Sequence, residues 1–197
     1  MNHNSSPLFS VIIPNYNHAQ YLPRAIDSVI NQTFSNWEIL LIDNHSSDET
    51  EKVVNPYLSE KIHLLKIHNN GIIAASRNLG ITHSKGEWIA FLDSDDWWSE
   101  TKLEESLLTI KQYEADLIYH DLYIVKDKNY ITHNDRTRGE DISNKPWEYL
   151  LNYGNSIPNS SVVVRKSCID AIGGISEERT CISWEDYDTW LRLARNG

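Results

Sequence analysis

The sequence predicts an α/β domain, a central and mostly parallel sheet with helices on both faces. Three observations carry that prediction. Short, near-continuous apolar runs alternate with stretches of helical periodicity through the first two-thirds of the chain, the pattern of strands buried on both faces. Polar clusters follow several of those runs at once, where open α/β sheets bind ligands beyond the carboxyl ends of their strands. Composition is that of an ordinary globular domain, 40% hydrophobic and 23% charged, which argues against disorder of the whole chain.

The elements follow in order. Phe9 to Ile13 reads as a buried strand stopped by Pro14. Tyr21 to Gln32 places Ala25, Ile26, Val29 and Ile30 at helical spacing. Trp37 to Ile42 is a second strand, and the turn after it leads into a helix from about Glu49, with Ser47 or Asp48 as N-cap. A third strand is expected over Ile62 to Ile67 and a short helix over Ala74 to Ile81. Trp88 to Leu92 is the fourth strand. Ser99 is placed to cap a helix that buries Leu103, Leu107 and Ile110, and Asp116 to His120 is a fifth strand. Lys126 to Pro146 is polar and weakly periodic and reads as a surface excursion. Order returns with Ser161 to Val164 and a helix from Asp186 to Ala194.

At 197 residues and without a Pro/Gly/Ser-rich linker, the chain reads as one domain. Lys and Arg number 18 against 28 Asp and Glu, a net charge of −10, which argues against a nucleic-acid partner. Two cysteines, Cys168 and Cys181, fit a reduced cytoplasmic setting better than a disulfide framework. No apolar run approaches the roughly 20 residues of a membrane span, so any membrane contact is expected to be by docking, at the inner face of the cytoplasmic membrane, or through a segment outside this sequence. The eight histidines include no His-x-x-x-His metal spacing; His18, His63, His68 and His83 read as surface or structural.

The most informative string is Phe91-Leu-Asp-Ser-Asp-Asp-Trp97. An apolar strand delivers three carboxylates into a turn. In extended geometry Asp93 and Asp95 point to one side, and carboxylates that close repel each other. A divalent cation such as Mn²⁺ or Mg²⁺ removes that cost and takes substrate phosphates as its remaining ligands. The bland alternative, a solvated acidic turn before a helix N-terminus, stays open on this string alone. An EF-hand loop fails, because Trp98 stands where its Gly is required. A phosphohydrolase of the haloacid-dehalogenase type also ends a strand in Asp-x-Asp, but on its first strand and with Gly following. The turn Asp93-Ser-Asp-Asp96 is followed instead by Trp97, on a later strand. No Gly-rich phosphate loop is present.

Six motifs in register carry a family likeness: Ser10 to Asn17, Ala25 to Thr33, Trp37 to Asp43 with Ser46 to Asp48, Ser76-Arg-Asn-Leu-Gly80, Gly86 to Asp96, and Trp184-Glu-Asp186. In this the chain resembles family 2 glycosyltransferases of the GT-A fold from about Ser10 to Ala194. The resemblance implies an inverting, metal-dependent, hexosyltransferase-type enzyme. It would move a sugar from a nucleotide-diphosphate donor, UDP favoured, to a saccharide, lipid-linked or protein acceptor in surface polysaccharide or glycan synthesis. It further implies a nucleotide-sugar-binding half over about residues 8–125 and an acceptor-side half over about 126–197. Family members continue past the Asp186 helix, so the chain is expected to be C-terminally incomplete.

Carried over by position, Pro14 and Tyr16 would line the nucleobase pocket. Asp43 and Asn44 would read base and ribose, with Asn44 a departure from the common second Asp: its amide oxygen can accept from a base N–H and its NH₂ adds a donor a carboxylate lacks, which leaves uracil favoured with thymine or guanine open. Arg77 would lie near base or diphosphate; its plain alternative is a surface ion pair. Asp93 would face the ribose beside Ser94, Asp95 would bind Mn²⁺ or Mg²⁺, and Asp96 would support the turn or cap a helix. Asp186 would be the general base, though Ser183-Trp-Glu-Asp also reads as a plain helix start. Trp184 and Glu185 would lie on the acceptor side, Trp184 having core packing as its alternative. His45 stands where the family commonly has Gly, and Trp97 and Trp98 are expected to pack under the acidic turn. Two other functions stay open at this stage, a non-catalytic nucleotide-sugar-binding module and, further behind, a phosphohydrolase.

Overall fold

The computed structural model describes residues 6–125, 135–137 and 139–196. Four strands, β1 (Phe9–Asn15), β2 (Trp37–Asp43), β3 (Ile62–Lys66) and β4 (Trp88–Phe91), are joined by α1 (Leu22–Ile30), α2 (Thr50–Val54) and α3 (Ile73–His83). Then come α4 (Lys102–Tyr113), β5 (Leu117–Ile118), α5 (Pro146–Tyr153), β6 (Val163–Arg165), α6 (Lys166–Ala171) and α7 (Glu185–Asn196). The sheet order is β3-β2-β1-β4-β6-β5. The first four strands in that order pair in parallel, and β6 runs antiparallel to both neighbours. The mostly parallel α/β sheet is as expected. One sheet holds strands from both expected halves of the chain.

The apolar runs are continuous because each strand feeds two cores. On β1, Phe9, Val11 and Ile13 face one cluster with α1, Trp98 and Leu103, while Ile12 faces the other with Ala74, Phe91, Val162 and Trp190. Alternation of side chains along a strand then favours apolar residues at nearly every position of such a strand, with Ser10 and Glu38 among the exceptions. Helix α3 lies hard against the sheet. A Cβ at Gly80 would sit 2.7 Å from Ile12 Cγ2 and 2.9 Å from Ile42 Cδ1, so the glycine of the Ser76–Gly80 motif sets the depth at which Arg77 enters. At the opposite end of the sheet from the acidic turn, buried Glu38 accepts from Ser10 Oγ (2.6 Å) and Lys85 N (2.7 Å), and Ser10 Oγ accepts from Gly86 N (2.8 Å). Those motif residues tie strands together and lie away from the acidic turn.

Several elements differ from expectation. Helix α4 begins at Lys102 with Thr101 at its N-cap position and no side-chain cap; Ser99 instead gives its carbonyl to Gln32 Nε2 at 2.6 Å. The fifth strand shrinks to two residues. Of the expected excursion, residues 126–134 and 138 lie outside the described residues, and its last residue starts α5. Pro146 reads as a breaker, yet a helix tolerates proline in its first turn, where the missing N–H has no partner to lose. Helix α6 was not expected either. It buries Ile169 alone, so it shows no periodicity.

Candidate active site

The polar clusters after β1, β2 and β4 meet at the carboxyl edge of the sheet. Asn15, 4% exposed, donates from Nδ2 to Asp43 Oδ1 at 2.9 Å, with Ser46 Oγ and Thr50 Oγ1 also in reach. Asp43 is equally buried and accepts twice more from Ser46, through Oγ (2.5 Å) and the backbone N–H (3.1 Å). Its carboxylate is therefore largely committed to the framework of the turn. Asn44 gives its amide oxygen to Asn69 N at 2.9 Å. Its NH₂ has no partner among the described residues, so of the two groups the amide offers it is the donor, the one a carboxylate lacks, that stays free. His45 adopts φ +49°, a left-handed conformation that glycine takes without steric cost, and its ring stacks on His68 with centroids 3.5 Å apart. Pro14 is buried inside β1, opposite Ile42. Tyr16, just beyond the strand, is 57% exposed and presents its ring.

The acidic turn follows β4. Ser94 is buried and shares a 2.8 Å hydrogen bond with His18 Nδ1. Arg24 donates to the Asp95 carbonyl at 2.9 Å and stacks on Trp97 at 3.6 Å, while Trp98 packs below with its Nε1 on the Ser160 carbonyl. Asp95 is exposed, and its carboxylate has no partner among the described residues. Burial raises the Asp96 carboxyl above its ordinary range; a hydrogen bond from Ser160 opposes this, and Asp93 and Asp95 add to it.

Arg77 departs most from expectation. It is neither a surface ion pair nor open to a ligand. At 4% exposure it binds Asp93 Oδ1 through Nη2 (3.0 Å) and Glu185 Oε1 through Nη1 (2.9 Å). Burial works against its charge, but the two carboxylates more than offset that and hold the guanidinium above its ordinary value. Glu185 is consequently 8% exposed and turned inward. Its expected place on the acceptor side is corrected: a lone buried cation needs counter-charge, and Glu185 supplies half of it. Trp184 is 62% exposed, so the core alternative for it falls.

Asp186 lies in the first turn of α7, one residue past Glu185. Its Oδ1 accepts from Tyr187 N (2.7 Å) and its Oδ2 from Asn155 Nδ2 (3.1 Å). Burial raises this carboxyl above its ordinary range. The Tyr187 N–H opposes the rise, Glu185 adds to it, and Arg77 and Asn155 oppose it. A raised carboxyl is better matched to general-base work than an ordinary one.

Sequence reasoning missed the segment before β6. Asn159 Nδ2 joins Arg77 on Asp93 Oδ1 (3.2 Å), and Ser160 Oγ accepts from Asp93 N (3.0 Å). Together these leave Asp93 Oδ2 without a partner among the described residues. Among those residues no three His, Cys, Asp or Glu side chains gather as a metal cage. Asp95 and Asp93 Oδ2 are hard oxygen donors that could share a cation whose other ligands come from phosphate and water.

The model of glycosyl transferase family 2 matches residues 10–165. The teichuronic acid biosynthesis glycosyltransferase TuaG of Bacillus subtilis, itself described as putative, is 38% identical over 106 residues, 53% of this chain and 42% of that protein. The Escherichia coli UDP-Glc:α-D-GlcNAc-diphosphoundecaprenol β-1,3-glucosyltransferase WfaP is 30% identical over 190 residues, 96% of this chain and 71% of that protein. Staphylococcus aureus TarS 1-349 superposes with a TM-score of 0.76 at 22% identity, over 95% of this chain and 55% of TarS. The chain thus spans about half the length of some relatives it matches. Its fold is GT-A, and the chain belongs to glycosyl transferase family 2.

Proposed function

We propose that the chain carries the donor site and general base of an inverting glycosyltransferase that moves a sugar from a UDP-sugar to an acceptor hydroxyl. The observation that carries this reading is the Arg77 bridge. It ties Asp93, at the tip of β4, to Glu185, the neighbour of Asp186. A diphosphate at the strand tip and an acceptor at the start of α7 would then face one reaction space. Tyr16 offers a ring face to the base and Asn44 an amide donor to one of its carbonyls. Asp93 and Asp95 would hold Mn²⁺ or Mg²⁺. When bound, such an ion supplies Lewis-acid stabilisation of the departing diphosphate. Asp186 takes the proton of the acceptor hydroxyl as its oxygen attacks the anomeric carbon opposite the diphosphate, which inverts that carbon. Trp184 offers an apolar face to the acceptor sugar.

WfaP, by its name, uses UDP-Glc and a diphosphoundecaprenol-linked acceptor, which favours a lipid-linked acceptor reached from the cytoplasmic side. No helix among the described residues is long and apolar enough to cross a membrane. The test is UDP release from UDP-sugars with Mn²⁺ and a polyprenyl-diphosphate-linked GlcNAc. Release should require acceptor and fall at least a thousandfold in Asp186→Asn, since general-base loss together with misorientation costs on the order of 10³. Equal release by that variant refutes the base. UDP binding without release by the unaltered chain leaves only a binding module.

A further inference from the structure

A single short loop reaches both ends of the proposed reaction space. Residues 155–160 join α5 to β6, with Asn155 holding Asp186 and Asn159 and Ser160 holding Asp93. The loop is itself well anchored. Ile157 is buried in the core, Trp98 Nε1 donates to the Ser160 carbonyl, and Lys102 Nζ donates to the Ser161 carbonyl. At its start, Tyr187 Oη donates to the Leu150 carbonyl at 2.5 Å, locking α5 to the first turn of α7. Asn155 therefore reaches Asp186 from a fixed platform. Its own amide is oriented, because Oδ1 accepts from Ile157 N at 3.0 Å and turns the NH₂ toward Asp186 Oδ2.

We propose that Asn155 is the positioning residue of the base: its amide holds Asp186 Oδ2 in one rotamer and presents the carboxylate to the acceptor hydroxyl. This rests on the reading of Asp186 as base. The Asn155 contact is a hydrogen bond to a charged group, stronger than a neutral one, and it acts where burial and Glu185 both disfavour the ionised form. Arg77 and the Tyr187 backbone N–H also offset them. Asn155 is exposed, so its replacement leaves the core untouched.

The chemistry of the two amide atoms supplies the test. Asn155→Asp keeps an acceptor for Ile157 N, and so keeps the loop turn, but replaces the donor with a second carboxylate facing Asp186. Asn155→Ala loses both contacts. Two readouts are taken on the full chain and both variants: the ¹³C carboxyl titration of Asp186, assigned by its loss in Asp186→Asn, and the pH profile of kcat/KM, with UDP affinity measured alongside. The expected result is that Asn155→Asp is the more affected variant. Its Asp186 titration moves to higher pH, because like charges disfavour ionisation. The acid limb of its kcat/KM profile moves to higher pH by the same displacement as the titration, a loss of about tenfold per pH unit of displacement at pH values below both titrations, and UDP affinity is unchanged. If Asn155→Asp titrates and turns over like the unaltered chain while Asn155→Ala fails, Asn155 serves the loop alone and the proposal is wrong. The NMR arm needs no turnover, so it judges Asn155 even where the chain proves inactive. A moved titration with an unmoved pH profile removes Asp186 as the base, and the positioning role in catalysis with it.

Discussion

Lys102 offers a sharp energetic test of the packing beneath the site. Its ammonium is 4% exposed, donates to the Ser161 carbonyl (3.0 Å) and the Ser106 hydroxyl (3.3 Å), and has no carboxylate partner among the described residues. The Trp98 ring lies 5.0 Å away. Burial lowers its pKa to about 7. In the unfolded chain a lysine titrates near 10.4, so between about pH 7 and 10 the unfolded state binds the proton more tightly, and stability rises with pH across that window. Each pH unit contributes about 1.4 kcal/mol once the folded form is neutral and about half that near pH 7, giving about 2 kcal/mol between pH 7 and 9. Lys102→Met keeps the stem and removes the charge. Urea denaturation of both proteins at pH 7, 8 and 9 isolates the slope, because other titrating groups are common to the two. The stability of the lysine form relative to the methionine form should rise by about 2 kcal/mol from pH 7 to 9. A difference that stays constant with pH would refute a buried, unpaired ammonium.

Two further outcomes follow from the site. Arg77→Met should cost about 3–5 kcal/mol in urea denaturation, because it strands Asp93 and Glu185 without their shared cation; a loss under 1 kcal/mol would mean that the bridge is solvated. Asp186→Asn should raise the Tm at pH 7. A carboxyl raised by burial makes the folded state hold its proton more tightly than the unfolded state. Stability therefore falls as pH climbs from about 4 through the folded titration, and the amide escapes that loss. A Tm gain at pH 7 that vanishes near pH 3 is expected, and a Tm equal to or below that of the unaltered chain at pH 7 contradicts it.

The parts of the fold that could be read in the sequence are those with two faces to bury. Strands β1, β2 and β4 carry near-continuous apolar runs because both sides are covered, and the polar residues just after them fall at the site. The rule of looking after each strand fails at β6. It runs antiparallel, so the residues that land at the carboxyl edge of β4 precede it: Asn155, Asn159 and Ser160. The signal was a polar Asn-Ser cluster leading into Val162-Val-Val164, visible once direction is known. Arg77 and Glu185 illustrate a different limit. Their pairing spans 108 residues, and no local pattern distinguishes a buried bridge from two surface charges. Asp43 shows that a carboxylate beside a turn can be spent on its neighbour, here Ser46.

The central claim is that the Asp93–Asp95 turn takes a nucleoside diphosphate through a shared divalent cation, and calorimetry of UDP binding with and without Mn²⁺ tests it most directly. The unaltered chain should bind UDP at least tenfold more tightly with Mn²⁺. Asp95→Ala, at an exposed position that leaves the fold intact, should lose that increment, about 1.4 kcal/mol or more. An equal affinity with and without Mn²⁺ in both proteins would contradict the account.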